Sequence, residues 1–176
     1  IIAITSLSRD HLDYHKTFKA YKVAKLRLFS EVSNQGIAII NKCVPDYKDF
    51  IEVAKSNNLK VITIGSSVSA NWKYKINNIN NGIQEIEVIF NKVKTKVYSN
   101  LIGSFQINNL ITAISIMVEM GFRREKIEKL ISKLKAPPGR LELIQRKKGA
   151  NIYIDYAHTP DALENVLVAI RPYIKN

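Results

Sequence analysis

Two stretches of this chain carry residue types that could do chemistry. The first runs from Ser6 to Lys25. Ser6, Ser8, Arg9, Asp10, His11, Asp13 and His15 crowd together, and Lys25 follows His11 by fourteen positions. Carboxylates and neutral imidazoles could hold a cation. His11 and His15 stand four apart, the spacing of the zinc-binding H-E-x-x-H helix, but position 12 is Leu, so the general-base Glu is missing. Two readings stay open for these histidines. Either they hydrogen-bond the segment in place, or with Asp10, Asp13 and Lys25 they build a cation site. Lys25 has its own alternative, a stem covering a helix face with its amine in water.

The second stretch is Asp155-Tyr156-Ala157-His158-Thr159-Pro160-Asp161. Thr159 suits an N-cap, Pro160 the first helical position, and Asp161 the positive end of the helix. Asp155 and His158 therefore sit where a strand gives way to a helix, a usual place for ligand contacts. Between the two stretches lie Asn108-Asn109, after the turn at Gly103, and Arg140, after the break Ala136-Pro137-Pro138-Gly139. A guanidinium matches phosphate oxygens well. The bland alternatives are an Asn that caps or solvates a helix start and an Arg on a linker surface.

The elements that must position these groups alternate. Ile1–Ile4 is apolar, as the end of a buried strand would be. Thr17 is a plausible N-cap, and Phe18, Tyr21, Ala24, Leu28 and Phe29 recur at helical steps. Residues 6 to 15, by contrast, read as a loop. Residues 36–41 read as a strand, 45–56 as a helix with Pro45 near its start, and 60–65 as a strand. Strand, helix, strand, helix, strand predicts an α/β fold with a parallel sheet. From 71 to 99 three short strands (74–77, 83–90 and 95–98), joined by Asn80-Asn81-Gly82 and Asn91-Lys92, predict a small antiparallel meander packed on the larger sheet. A helix follows Gly103, a second helical pattern covers 123–134, and strands are expected at 141–145 and 152–155. Pro137-Pro138-Gly139 reads as a domain boundary, giving units 1–139 and 140–176.

Composition bounds the partners. The chain has 176 residues and a net charge of +12, which could mark an anionic partner such as nucleic acid or a membrane surface. Yet the lysines are scattered and no dense basic tract interleaves with aromatics, so most of the charge reads as compositional bias. No apolar run approaches the 18 or so residues of a spanning helix. Cys43 is alone, which rules out an internal disulfide and fits a reducing cytoplasm. With no Met at its start, inside an apparent strand, the chain reads as part of a longer polypeptide.

The stretches SLSRDHLDYH and YKVAKLRLF resemble the Mur ligase family, whose corresponding loop reads TN-(I/L)-S-x-DHLDYH. Two more segments agree. Gly103 to Asn109 is similar to that family's G-x-F-N-x-x-N segment, with Gln106 in place of the first Asn, and DYAHTPDAL is the most specific match. Ser6 departs from the family's Asn.

The resemblance implies a set of roles. His11 would bind magnesium, and Lys25, carbamylated on its amine, would act beside the metal. Asn109 would meet the ATP base, Arg140 the phosphates, and Asp155 and His158 the ribose and base. The fold implied is the later part of a parallel-sheet central ATPase domain plus the start of a Rossmann-like C-terminal domain. The reaction implied is ATP-dependent amide formation in peptidoglycan precursor synthesis, in the cytoplasm. UDP-N-acetylmuramoyl-L-alanyl-D-glutamate and a diamino acid, meso-diaminopimelate ahead of lysine, would be the substrates, with ATP and Mg2+ as cofactors. The resemblance implies a monomer and neither nucleic acid nor membrane as partner. The chemistry is consistent, because a neutral lysine amine can add CO2 to give an anionic carbamate suited to a hard cation.

No G-x-x-x-x-G-K-[ST] occurs, and no Gly precedes a Lys, so the phosphate loop is expected upstream and the acceptor motif downstream. The piece alone should not ligate. Two other classes stay in view: a different amide ligase of the same superfamily, of folylpolyglutamate synthase type, and a basic nucleic-acid-binding module.

Overall fold

The computed structural model describes residues 1–8, 12–32, 35–80 and 82–174, with only the backbone of Leu12 and Asp13. Six strands form one mixed sheet in chain order. β1 (Ile2–Ile4), β2 (Ile37–Asn41), β3 (Lys60–Gly65) and β4 (Trp72–Asn80) run parallel. β5 (Ile83–Phe90) and β6 (Val93–Ser99) continue the sheet antiparallel. A separate hairpin pairs β7 (Glu142–Lys147) with β8 (Ala150–Ile154).

Pleat alternation decides which helix covers which face. On one face Ala38 and Ile40 of β2 pack with Phe29 of α2 (Phe18–Ser30) and with Phe50 and Ala54 of α3 (Tyr47–Ser56). On the other, Ile39 joins Ile62 and Ile64 of β3 and Ile107, Ile111 and Ile114 of α4 (Ser104–Glu119). Burying each such side chain stabilises by roughly 1.5–3 kcal/mol, which is why near-continuous apolar runs settle as strands covered on both faces. Lys22 ties α2 to α3 through Asp46 (2.7 Å) and Asp49 (2.5 Å). Hydrogen bonding to Asp46, then to Asp49, raises its ammonium pKa above the ordinary value.

Three expectations are corrected. The meander does not pack on the larger sheet; it extends it. Trp72 pairs with Ile64 and Lys73 with Gly65, so β3 has no open edge there. Trp72, Tyr74, Ile86 and Val88 then share the core that holds Ile62 and Ile64.

The 123–134 pattern is not one helix but α5 (Arg124–Glu128) followed by a 3-10 turn at Ile131–Lys133. Asn100 Nδ2 takes the Ser132 carbonyl at 2.9 Å, and Pro137-Pro138 follow, so an α-helix has nowhere to go. Arg124 clamps α5 onto the sheet. Its guanidinium lies 5.4 Å from the centre of the Trp72 ring, which stacks on Phe90 at 4.0 Å.

Finally, residues 12–15 form a single helical turn, α1 (Leu12–His15), rather than loop. Lys16, at φ 62°, separates it from α2.

A third, small core joins the sheet to the hairpin. Ile102, Leu141 and Ala169 pack with Phe105, Tyr153 and Val166, the last from α6 (Pro160–Ile170). Gly103 lies at φ 87°, and a Cβ there would meet the Ala169 Cβ at 2.6 Å. Only glycine lets α4 begin this close to α6.

Candidate functional site

The carboxyl ends of β1 and β2 are laced together by one buried side chain. Asn41, 2% exposed, donates its amide to the Thr5 carbonyl at 3.1 Å and accepts from the Cys43 N–H at 2.9 Å. Lys25 reaches the same edge from α2. Its Nζ donates to the Ser6 carbonyl at 3.2 Å and stands 4.9 Å from the centre of the Tyr21 ring. The Tyr21 ring lies against His15, 5.2 Å between centres. His15 thus belongs to an aromatic cluster, with the Tyr14 ring edge-on at 4.9 Å. His11, Arg9 and Asp10 lie outside the described residues. Among the described residues no group of three or more His, Cys, Asp or Glu could hold a metal.

That leaves the donor set to judge by its chemistry. A protonated Lys25 cannot ligate magnesium. Its carbamate would bring two anionic oxygens to the stretch that carries His11, and in that form the residues fit a hard cation.

The second group of residues gathers around Tyr156. The Arg140 guanidinium lies 5.6 Å from the centre of the Tyr156 ring. The Tyr156 N–H donates to the Gly139 carbonyl at 2.9 Å. Asp155 uses both carboxylate oxygens on backbone: Oδ2 accepts from Leu141 N–H and Oδ1 from Ala157 N–H, each at 2.8 Å. Every oxygen keeps a second lone pair for a ligand hydroxyl. His158 Nδ1 is 3.0 Å from the Tyr156 carbonyl. A carbonyl only accepts, so Nδ1 is the donor in this contact.

α4 meets this joint through Gln106. The side chain is 5% exposed, and its Nε2 donates to the Arg140 carbonyl at 2.9 Å. Asn109 lies three residues on, on the same side of α4 as Gln106, and is exposed. Arg140, Asp155 and His158 are thus brought together, and Gln106 rather than Asn109 makes the direct contact from α4.

Sequence reasoning passed over Asn41, Tyr74, Tyr156 and the inward role of Asn108. A cavity of about 660 Å3 opens beside α4, lined by Cys43, Tyr74, Lys75, Phe105, Asn108 and Asn165 among others. Tyr74 OH donates to Asn108 Oδ1 at 2.7 Å. The one available signal was position: Cys43 follows β2 and Asn108 lies in the second turn of α4, both near element ends where ligand sites form.

Comparisons with known proteins fit this geometry. Residues 1–117 match the family model of the Mur ligase middle domain, and 139–175 that of the Mur ligase glutamate ligase domain. The chain is 38% identical over 174 residues to the UDP-N-acetylmuramoyl-L-alanyl-D-glutamate–2,6-diaminopimelate ligase of Rickettsia typhi, a match covering 97% of this chain and 34% of the relative. It spans about a third of the length of the curated relatives it matches. A solved structure of an enzyme with that printed name superposes with a TM-score of 0.79 at 30% identity, covering 99% of this chain and 36% of the other. The MurF ligase of Thermotoga maritima in complex with ADP superposes at a TM-score of 0.78 with 18% identity, covering 93% and 37% of the two chains.

Proposed function

The chain belongs to the Mur ligase family, and from that premise we propose that it forms the nucleotide- and metal-binding part of an ATP-dependent ligase of peptidoglycan synthesis. The whole enzyme would join 2,6-diaminopimelate to UDP-N-acetylmuramoyl-L-alanyl-D-glutamate in the cytoplasm, acting as a monomer. Relatives carrying that name, 38% identical along nearly all of this chain, support the substrate pair. We divide the chain at Pro-Pro-Gly, with 1–139 in the central domain and 140–176 in the C-terminal one.

The observation that carries the reading is the joint at Arg140. Gln106 of α4 and Asp155 at the end of β8 together hold the Arg140–Leu141 peptide, the first through its carbonyl at 2.9 Å and the second through its N–H at 2.8 Å. An arginine whose peptide is held by two elements while its side chain stays exposed is free to present its guanidinium to phosphate.

The reaction proceeds in two displacements. A carboxylate oxygen of the nucleotide-linked dipeptide attacks the γ-phosphorus, and ADP leaves. The amine nitrogen of diaminopimelate then attacks the acyl carbon, loses a proton, and expels phosphate. Arg140 offsets charge on the phosphates. Asn109 contacts the base, the free lone pairs of Asp155 accept from ribose hydroxyls, and the His158 ring flanks the base. Bound magnesium would be held by His11 and carbamylated Lys25 and would neutralise charge on the transferring phosphoryl group.

The test is ATP binding by the natural protein that carries these residues. Arg140→Ala should weaken ATP at least tenfold and adenosine much less, because the lost contact is to phosphate. Equal ATP affinity in Arg140→Ala and the unaltered protein would remove Arg140 from the nucleotide site. Residues 1–176 alone should show no ATP-dependent amide synthesis, since they hold no phosphate loop.

A further inference from the structure

We propose that Asn41 is a positioning residue for Lys25. By holding the backbone at Thr5 it sets the Ser6 carbonyl that receives the Lys25 amine, and with it the direction a carbamate on that amine would face. This rests on the reading of Lys25 given above and adds to it the buried group that aims it.

Parallel pairing of β1 with β2 ends at Ile4 and Ile40. Asn41 still pairs through its backbone with Ile64 of β3, but towards β1 its side chain takes over. Nδ2 donates to the Thr5 carbonyl at 3.1 Å, one residue past the last paired position. Oδ1 accepts from the Cys43 N–H at 2.9 Å and closes the turn after β2. The two contacts agree on which end of the amide is which. At 2% exposure either end left unpaired would be costly, so the amide has one orientation and the Thr5 peptide one place.

Leu7, 3% exposed in the same core as Ile4 and Tyr21, anchors the far side of this short segment. Ser6 lies between the two anchors, and its carbonyl is 3.2 Å from Lys25 Nζ. The base of the lysine is fixed too, because Tyr21 and Phe29 bury α2 against that core.

The chemistry makes this carbonyl matter. In forming a carbamate, the neutral Nζ bonds to the carbon of CO2 and passes one proton to water. The nitrogen then keeps a single hydrogen, where an ammonium has three. The group is planar, as a peptide is, so the direction of that one N–H sets the plane of both oxygens. The Ser6 carbonyl is the acceptor the structure gives it. An ammonium can rotate to follow a displaced carbonyl; a planar carbamate swings its oxygens away.

The test uses the natural protein with Mg2+ and isotope-labelled bicarbonate, read by carbon NMR. The unaltered protein should show a lysine carbamate resonance that Lys25→Ala removes. Asn41→Ala should lower that resonance about threefold or more and raise the Mg2+ concentration for half-maximal rate roughly tenfold, the scale for removing a group that orients a metal ligand. The KM for ATP at saturating Mg2+ should move less than about twofold, since the nucleotide contacts are untouched. Ile40→Val trims the same strand without touching Thr5; it controls for lost stability and should move neither readout. If Asn41→Ala does not fold, Asn41→Ser replaces it, because a serine can keep the turn at Cys43 but cannot reach the Thr5 carbonyl. A lower Tm with an unchanged resonance and unchanged Mg2+ dependence would overturn the proposal and leave the reading of Lys25 intact. Absence of the resonance from the unaltered protein would overturn both.

Discussion

Two strand-to-helix passages in this molecule share a cap and differ in everything behind it. At the first, Thr17 (φ −136°, ψ 150°) accepts from the Ala20 N–H at 3.1 Å as α2 begins. At the second, Thr159 (φ −121°, ψ 155°) accepts from the Ala162 N–H at 3.3 Å as α6 begins. The second passage combines near bonds, Asp155 to Ala157 and His158 to the Tyr156 carbonyl, with bonds to the preceding turn, Asp155 to Leu141 and Tyr156 to Gly139. The first is held from afar. Lys25 reaches back nineteen residues to Ser6, and Asn41 thirty-six to Thr5. Near bonds orient the carboxylate and the imidazole within their own loop, and the contacts to Gly139 and Leu141 seat that loop on the turn before β7. A turn wired through distant residues takes its geometry from the sheet, and its key amine comes from the body of a helix.

The largest expected effect breaks the first passage. Lys25→Ala in the natural enzyme should cost roughly 100-fold or more in kcat, the scale for losing a group that stabilises transferring charge. If Lys25 works as a carbamate, short carboxylic acids should restore part of that rate by filling the space with an anion. Lys25→Arg should not recover activity, since guanidinium stays protonated and takes up no CO2. Near-normal turnover by Lys25→Arg would return this residue to packing or plain electrostatics.

The second passage breaks at its support. Gly103→Ala puts a Cβ 2.6 Å from that of Ala169 at a positive φ. It should lower stability by about 2 kcal/mol or more, read as a drop in Tm, and loosen nucleotide binding with it. Unchanged Tm would mean that α6 shifts freely against α4.

Alkaline titration sharpens the comparison of local and distant wiring. Burial raises Tyr74 and Tyr173 to about 12, with Cys43 adding at Tyr74 and Tyr153 at Tyr173. Both phenols stay protonated in the fold past the ordinary value of 10.0, so their contribution is complete below pH 10 and is lost as pH rises towards 12. Phenolate absorbance should show two of the eight tyrosines titrating late, and Tyr74→Phe should remove one.

The smallest effects come from the shared caps. Thr17→Ala and Thr159→Ala should each cost about 1 kcal/mol by chemical denaturation. Equal costs with unequal losses of activity would mean that the caps are interchangeable and the residues behind them are not.

The sequence alone determined what depends on neighbours in the chain. Apolar runs placed β1, β2 and β3, threonine and proline marked the starts of α2 and α6, and Asp155 and His158 could be assigned to a strand end. These signals lie within a few residues of what they specify, and water enforces them whatever the rest of the chain does. The tertiary structure decided what depends on partners far away. Nothing local tells Trp72 that it will pair beside Ile64 and prolong the sheet, or tells residue 129 that the α-helix is over because Asn100 takes a carbonyl ahead. Asn108 and Asn109 are equivalent as letters. Tyr74, arriving thirty-four residues earlier in the chain, gives Asn108 a hydrogen-bond partner on the sheet while Asn109, one position on, stays exposed.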